Sequence, residues 1–83
     1  MESEKPKKIK VVLLSSIAED IGWNEKFLTI EGSHMKVFSV WKLVNSKFPQ
    51  DNIIVSINQE ITDMDAKINP DDEVAFMPMF TGG

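Results

Sequence analysis

The chain contains no cysteine, no arginine and a single histidine among its 83 residues. Without cysteine it can form no disulfide, thiolate metal site or cysteine nucleophile. Arginine is the preferred side chain for bidentate recognition of phosphates and bases. Its absence, together with a net charge of −4, argues against nucleic acid as the main partner. His34 alone cannot build a multi-histidine metal site, and a lone histidine in a loop is typical of a solvated surface residue.

The sequence also lacks any apolar run near the about 18 residues that a membrane-spanning helix needs, so no membrane partner is expected. The apolar stretch 9–17 is too short for a secretory signal peptide, and Ala18-Glu19-Asp20 follows it instead of a cleavage site. We therefore expect a cytoplasmic protein. The length allows one small domain with a modest core. We expect residues 1–7 to form a flexible arm, residues 8–80 to form the domain and residues 81–83 to form a flexible tail.

Hydrophobic patterning predicts an α+β domain. Strands are predicted over 9–14, 27–30, 53–57 and 73–80, with a further extended segment starting at Ile61. The first strand is predicted to be buried on much of both faces. The pattern favours a mixed four- or five-stranded sheet with one main helix across one face. The last strand is expected to lie centrally and to pair in parallel with the first.

Two helices are predicted between these strands. Ser15 or Ser16 is expected to cap a short helix over 17–21, which Gly22 ends. The main helix covers 36–48, and Pro49 ends it because the residue before a proline avoids the helical conformation. Its N-terminal cap is not evident from the sequence. Its apolar stripe consists of Val37, Val40, Trp41, Val44 and Phe48.

Turn chemistry predicts two tight turns. Asn58-Gln59-Glu60 forms one, and residues 69–72 form another with Pro70 at its second position. No acid–base pair is expected, and the calcium-loop pattern is absent, so we expect no metal site. Four carboxylates in turn-like stretches are expected to be solvated charges: Asp63, Asp65, Asp71 and Asp72.

The last strand is apolar on both faces. Residues 74, 76, 78 and 80 share one face, whereas Ala75, Met77 and Met79 share the other. One helix covers only one face of a small sheet. The second face is therefore predicted to contact a partner protein, for which methionine is well suited. The alternative is that Met77 and Met79 pack beneath a loop.

Directly after this strand the chain ends in Thr81-Gly82-Gly83. Terminal glycines add no packing, but a tail without Cβ atoms can enter a narrow channel and present its carboxylate. ATP can convert that carboxylate to an acyl adenylate. A sulfur nucleophile then gives a thiocarboxylate, and a lysine amine gives an isopeptide bond. A fraying end or a cloning remnant is the alternative for the dipeptide alone.

Residues 55–61, 72–78 and 81–83 resemble the small-subunit family of molybdopterin synthase, whose members are ubiquitin-like β-grasp sulfur carriers. The resemblance covers nearly the whole chain, and its most specific part is Asp-Glu-Val, an aromatic residue, a proline and the final Thr-Gly-Gly. Two departures are evident. Asp71 stands where the family usually has glycine, and Pro70 suggests that a different turn type serves there. Met77-Pro78-Met79 replaces the common Phe-Pro-Pro.

The resemblance implies a carrier and cosubstrate that is not itself catalytic and binds no cofactor. An adenylating enzyme of the ubiquitin-activating type would use ATP to activate Gly83, and a sulfur donor would form the thiocarboxylate. The tail would then enter the large catalytic subunit, within a heterotetramer, and give sulfur to cyclic pyranopterin monophosphate for the molybdenum cofactor. The reacting terminus is Gly82 and Gly83. The implied partner contacts are Leu14, Ile61, Met77, Pro78, Met79, Phe80 and Thr81.

Three alternatives use the same residues differently. A ubiquitin-like protein modifier would join Gly83 to lysines of target proteins. A sulfur carrier for transfer-RNA thiolation would use the same thiocarboxylate with another acceptor. A plain β-grasp interaction module would use only the apolar face, and its tail would be inert.

Overall fold

The computed structural model describes residues 7–31, 35–44 and 52–79. Five strands form one mixed sheet in the order β2-β1-β5-β3-β4. The central strand β5 pairs in parallel with β1 and antiparallel with β3, which confirms the predicted placement. This is the ubiquitin-like β-grasp arrangement. The elements are β1 (Lys7–Leu13), α1 (Ser15–Ile21), β2 (Glu25–Ile30), α2 (Val37–Val44), β3 (Ile53–Ile57), β4 (Glu60–Thr62) and β5 (Glu73–Pro78).

Burial alternates along β1. Ile9, Val11 and Leu13 are buried on the face that carries the core, whereas Val12 is only half-buried and Leu14, just beyond the strand, is exposed. The expectation that this strand is buried on much of both faces is therefore wrong. The described helices leave the second face uncovered, so successive residues of β1 meet core and solvent in turn.

The main helix α2 carries the predicted apolar stripe. Val37, Val40 and Trp41 are buried, and Val44 is half-buried against the core. The ring of Trp41 lies 4.8 Å from that of Phe76, centroid to centroid, and this contact joins the helix to the central strand. The predicted end of the helix at Phe48 and Pro49 lies outside the described residues.

The start of α2 is capped by main-chain carbonyls. Val37 N–H donates to the carbonyl of Ala66 at 3.0 Å, and Phe38 N–H donates to that of Met64 at 2.9 Å. Both acceptors belong to the loop between β4 and β5. The first N–H groups of a helix lack partners within it, and this loop supplies them. No capping side chain was evident in the sequence because the acceptors come from a distant segment.

The short helix α1 starts earlier than predicted. Leu14 occupies the N-cap position in an extended conformation, no side chain caps the helix, and Ser15 is its first residue. The prediction that Ser15 or Ser16 caps it is wrong. Leu14 N–H donates to the carbonyl of Phe76 at 3.0 Å, which keeps the chain extended up to that residue. Gly22 ends the helix with φ 108°, as its freedom from a Cβ predicts.

Candidate functional site

The sheet face opposite the core, here called the open face, is built from alternate residues of all five strands. Strand pairing aligns Val12 of β1 with Ala75 of β5, Ala75 with Ser56 of β3, and Ser56 with Ile61 of β4. Around this row the face divides into a charged part and an apolar part. The charged part contains Lys8, Lys10, Glu25 and Glu73. Lys10 and Glu25 form an ion pair there, with Nζ 3.5 Å from Oε1.

The apolar part, here called the apolar patch, consists of Leu14, Ile54, Ile61 and Met77. Met77 pairs with Ile54, and the bond from Leu14 N–H to Phe76 sets Leu14 beside Met77. Leu14 is 39% exposed and Ile61 is 76% exposed, although both are large apolar side chains. Leu14, Ile61 and Met77, the hydrophobic contacts implied by the resemblance, therefore lie on one face and can meet one partner surface.

Pro78 ends β5 at a point where its missing N–H removes no hydrogen bond from the sheet. The even-numbered residues of β5 direct their backbone groups towards β1, as the bond from Leu14 N–H to the Phe76 carbonyl shows. At Pro78 the neighbouring chain has already turned into α1, so no ladder bond is lost there. Proline is thus compatible with a central strand at this one position.

Met79 is the last described residue before the tail. Its N–H donates to the carbonyl of Asn52 at 3.0 Å, and its side chain is 46% exposed. Phe80, Thr81, Gly82 and Gly83 lie outside the described residues. Residue 79 extends the pairing of Met77 with Ile54, so the described chain ends beside the apolar patch.

Asp72 is buried, with only 8% of its surface exposed, so the prediction of a solvated charge is wrong for this residue. Its Oδ1 accepts from Asn58 Nδ2 at 2.9 Å, and its Oδ2 accepts from Asn69 N–H at 2.8 Å. These donors compensate the loss of water around the carboxylate. Sequence reasoning missed this pair, although both Asn58 and Asp72 fall within the runs that carry the family resemblance.

The other predicted aspartates, Asp63, Asp65 and Asp71, are exposed as expected. Asp71 has φ 70°, and the Asp72 N–H closes the turn onto the Asn69 carbonyl at 3.2 Å. With proline second and a positive φ third, the turn has the conformation that favours glycine at the position of Asp71. The described residues contain no group of three or more acidic, histidine or cysteine side chains able to hold a metal ion.

The model of the ThiS family matches residues 12–83. The chain belongs to the ThiS family. Its fold and this membership make it a ubiquitin-like β-grasp protein of the sulfur-carrier class.

One curated relative agrees with the family assignment, and solved structures agree with the fold. The chain is 28% identical over 81 residues to the molybdopterin synthase sulfur carrier subunit of Dictyostelium discoideum, which covers 89% of this chain and 94% of that protein. Its fold is similar to that of small archaeal modifier protein 1 from Haloferax volcanii, with a TM-score of 0.75, 16% identity and coverage of 89% and 99% of the two chains. A ubiquitin from Caldiarchaeum subterraneum gives a TM-score of 0.64 at 17% identity, covering 95% and 100%.

No helix within ranges 7–31, 35–44 and 52–79 is both long and apolar enough to cross a membrane.

Proposed function

We propose that this ThiS-family chain is the sulfur-carrier subunit of a molybdopterin synthase. The observation that supports the proposal is that Gly82-Gly83 closes the family-matched region and follows closely after Met79, which lies beside the apolar patch. A partner that covers the patch would have the tail within reach of its own active site. The named relative from Dictyostelium supports molybdopterin synthesis as the pathway.

The chemistry takes place at the main-chain carboxyl group of Gly83. The carboxylate attacks the α-phosphate of ATP on an adenylating enzyme of the ubiquitin-activating type, and pyrophosphate leaves. Hydrosulfide then attacks the acyl carbon; a C–S bond forms, the C–O bond to AMP breaks, and Gly83 carries a thiocarboxylate. The terminal sulfur is nucleophilic and attacks a side-chain carbon of the cyclic pyranopterin monophosphate held by the large subunit; a C–S bond forms, a C–O bond of the cyclic phosphate breaks, and the phosphate stays on the pterin as a monoester. Hydrolysis of the resulting thioester returns the carboxylate.

The side chains of this subunit contribute binding rather than catalysis. Leu14, Ile61 and Met77 bury apolar surface against the large subunit and against the activating enzyme in turn, at about 25 cal/mol per Å² removed from water. Met79, Phe80 and Thr81 connect that docked surface to the reactive terminus. Glycine at the last two positions leaves no side chain to block a narrow channel.

Intact-mass measurement tests the proposal directly. The untagged protein is incubated with its activating enzyme, ATP and sulfide; the expected product is heavier by the difference between sulfur and oxygen. A variant without Gly83 is the control and should not change mass. The thiocarboxylated protein is then mixed with the large subunit and cyclic pyranopterin monophosphate, and dithiolene formation is recorded.

Other outcomes assign the terminus differently. Thiocarboxylate formation without transfer to the pterin would point to another acceptor, such as transfer RNA. ATP-dependent conjugates on lysines of other proteins, lost with Gly83, would select a protein modifier. If no mass change occurs with an enzyme that is active on another carrier, sulfur carriage is wrong.

A further inference from the structure

Among the described residues, no strand pairs with the outer edge of β2. In the sheet order β2 comes first, with β1 as its neighbour. Leu13 N–H donates to the Asn24 carbonyl at 2.7 Å, which identifies Asn24, Lys26, Leu28 and Ile30 as the residues that bond to β1. The intervening residues, Glu25, Phe27 and Thr29, therefore direct their N–H and C=O groups away from the sheet. All three are exposed.

This edge has few of the features that usually protect against strand addition. Edge strands are normally short or carry charged side chains, especially lysine, prolines or bulges. The opposite edge strand β4 has only three residues, whereas β2 has six regular residues without proline. Its lysine, Lys26, holds its Nζ over the ring of Trp23 at 4.6 Å. At the centre of the edge lies Phe27, 62% exposed on the open face.

The edge is complementary to itself. When two copies of β2 pair antiparallel around Phe27, each Phe27 lies opposite the other, Glu25 lies opposite Thr29, and Lys26 lies opposite Leu28. Glu25, Phe27 and Thr29 direct their N–H and C=O groups outward, and in this register they lie opposite one another. Each outward N–H of one copy therefore meets an outward C=O of the other. The register opposes no like charges and creates a cross-strand aromatic pair.

Charges next to the edge are complementary in the same register. Lys8 of β1 pairs with Thr29, and Thr29 lies opposite Glu25 of the second copy. The Cα atoms of Lys8 and of Glu25 in the second copy are two strand spacings apart, or about 10 Å. Their long side chains can bridge this distance over the short threonine between them. The Lys8 ammonium already leans towards this edge, 5.4 Å from the centroid of the Phe27 ring. The contact occurs twice, once on each side of the two-fold axis.

We propose that the outer edge of β2 pairs with the same edge of a second copy, forming a symmetric dimer with one continuous ten-stranded sheet. Two-fold pairing is self-limiting, since each copy has one such edge. The apolar patch and the end of β5 lie towards the other side of the sheet and stay accessible. A dimer would therefore present two reactive termini.

The test is sedimentation equilibrium of the full chain at concentrations up to about 1 mM, where association worth about 4 kcal/mol becomes visible. The wild type is expected to dimerise. Phe27→Lys and Phe27→Glu each place like charges opposite one another and should weaken dimerisation by roughly tenfold or more. A mixture of the two variants should associate again, because opposite charges then face each other. Leu43→Lys, at an exposed position of α2, is the matched control and should dimerise like the wild type.

Amide hydrogen exchange adds a residue-specific measurement. On dimerisation the Phe27 N–H should exchange more slowly with rising concentration, whereas the Leu28 N–H, already bonded to β1, should not change. Thr29→Pro removes an outward donor without breaking the ladder to β1 and should also weaken the dimer. A wild type that stays monomeric throughout, or a Phe27→Lys variant that dimerises as well as the wild type, would overturn the proposal. Either result leaves the proposed sulfur-carrier function untouched.

Discussion

Asn58 and Asp72 join the turn between β3 and β4 to the start of β5 across 14 residues of sequence. Asn58 Nδ2 donates to Asp72 Oδ1 at 2.9 Å, and Asn58 Oδ1 accepts from Glu73 N–H at the same distance. The Asn58 N–H also donates to the Glu73 carbonyl at 2.8 Å. The Asn58 side chain thus supplies one of the two hydrogen bonds that the backbones of a bonded strand pair would exchange. It holds β5 in register at the end opposite to Met79.

Replacing Asp72 by asparagine should destabilise the protein by about 1–3 kcal/mol, because the new amide group opposes one of the two donors that the carboxylate now accepts. The measurement is the urea unfolding midpoint followed by circular dichroism. Asp71→Asn is the matched control, since Asp71 is exposed and asparagine tolerates its positive φ. We expect that control to stay within about 0.5 kcal/mol of the wild type. Equal losses in both variants would show that the Asp72 contacts contribute nothing.

Gln59→Gly should stabilise the protein by roughly 0.5–1 kcal/mol. Asn58 and Gln59 have φ 52° and 73°, so both central residues of this two-residue hairpin turn are left-handed. Asparagine suits the first position, whereas the second favours glycine and strains a residue that carries a Cβ. Glu60→Gly is the control, since Glu60 lies in β4 outside the positive-φ region and glycine should weaken the strand. The free energy of unfolding in urea checks both, and a destabilised Gln59→Gly variant would contradict the turn assignment.

Pro78→Ala should change stability by less than about 1 kcal/mol. Its nitrogen faces the side of β5 where β1 has already ended, so alanine restores a donor that has no ladder acceptor. Ala75→Pro is the comparison within the same strand. Ala75 N–H points towards β3, and proline there removes a ladder bond at the centre of the sheet. Thermal unfolding should show a near-native Pro78→Ala variant and a severely destabilised Ala75→Pro variant; the reverse order would place β5 in the wrong register.

If the proposed function holds, Ile61→Asp should weaken binding to the large subunit of molybdopterin synthase by roughly tenfold or more without unfolding the protein. The side chain is 76% exposed in the free chain, so the charge costs little there. In a complex that covers the apolar patch, it loses about 1.5–3 kcal/mol of apolar burial and must also be desolvated. Leu43→Asp, at a 68% exposed residue on α2 beyond the opposite sheet face, is the control.

Isothermal titration calorimetry with the purified large subunit measures both affinities. If Leu43→Asp weakens binding as much as Ile61→Asp, the partner does not recognise the open face. If neither variant matters, the apolar patch is not the docking surface.

The strands, the main helix and their order could be predicted from the sequence because their signals are local. The stripe formed by Val37, Val40 and Trp41 has the period of a helix whatever lies around it, and Gly22 and Pro70 mark ends through their own backbone geometry. The apolar character of both faces of β5 was equally visible. The family resemblance was visible as well, and the strand register places its implied contacts Leu14, Ile61 and Met77 on one face of the sheet.

Only the tertiary structure decided which polar groups are buried and what satisfies them. Asp72 looks like any turn aspartate until Asn58, 14 residues away, comes within hydrogen-bond distance. The start of α2 is capped by carbonyls from the loop between β4 and β5, and Leu14, whose N–H bonds to the Phe76 carbonyl, takes the N-cap position of α1 in place of Ser15. Periodicity reports how one segment partitions between core and water. Hydrogen bonds between distant segments depend on where the whole chain brings its donors and acceptors together, and no local pattern encodes that distance.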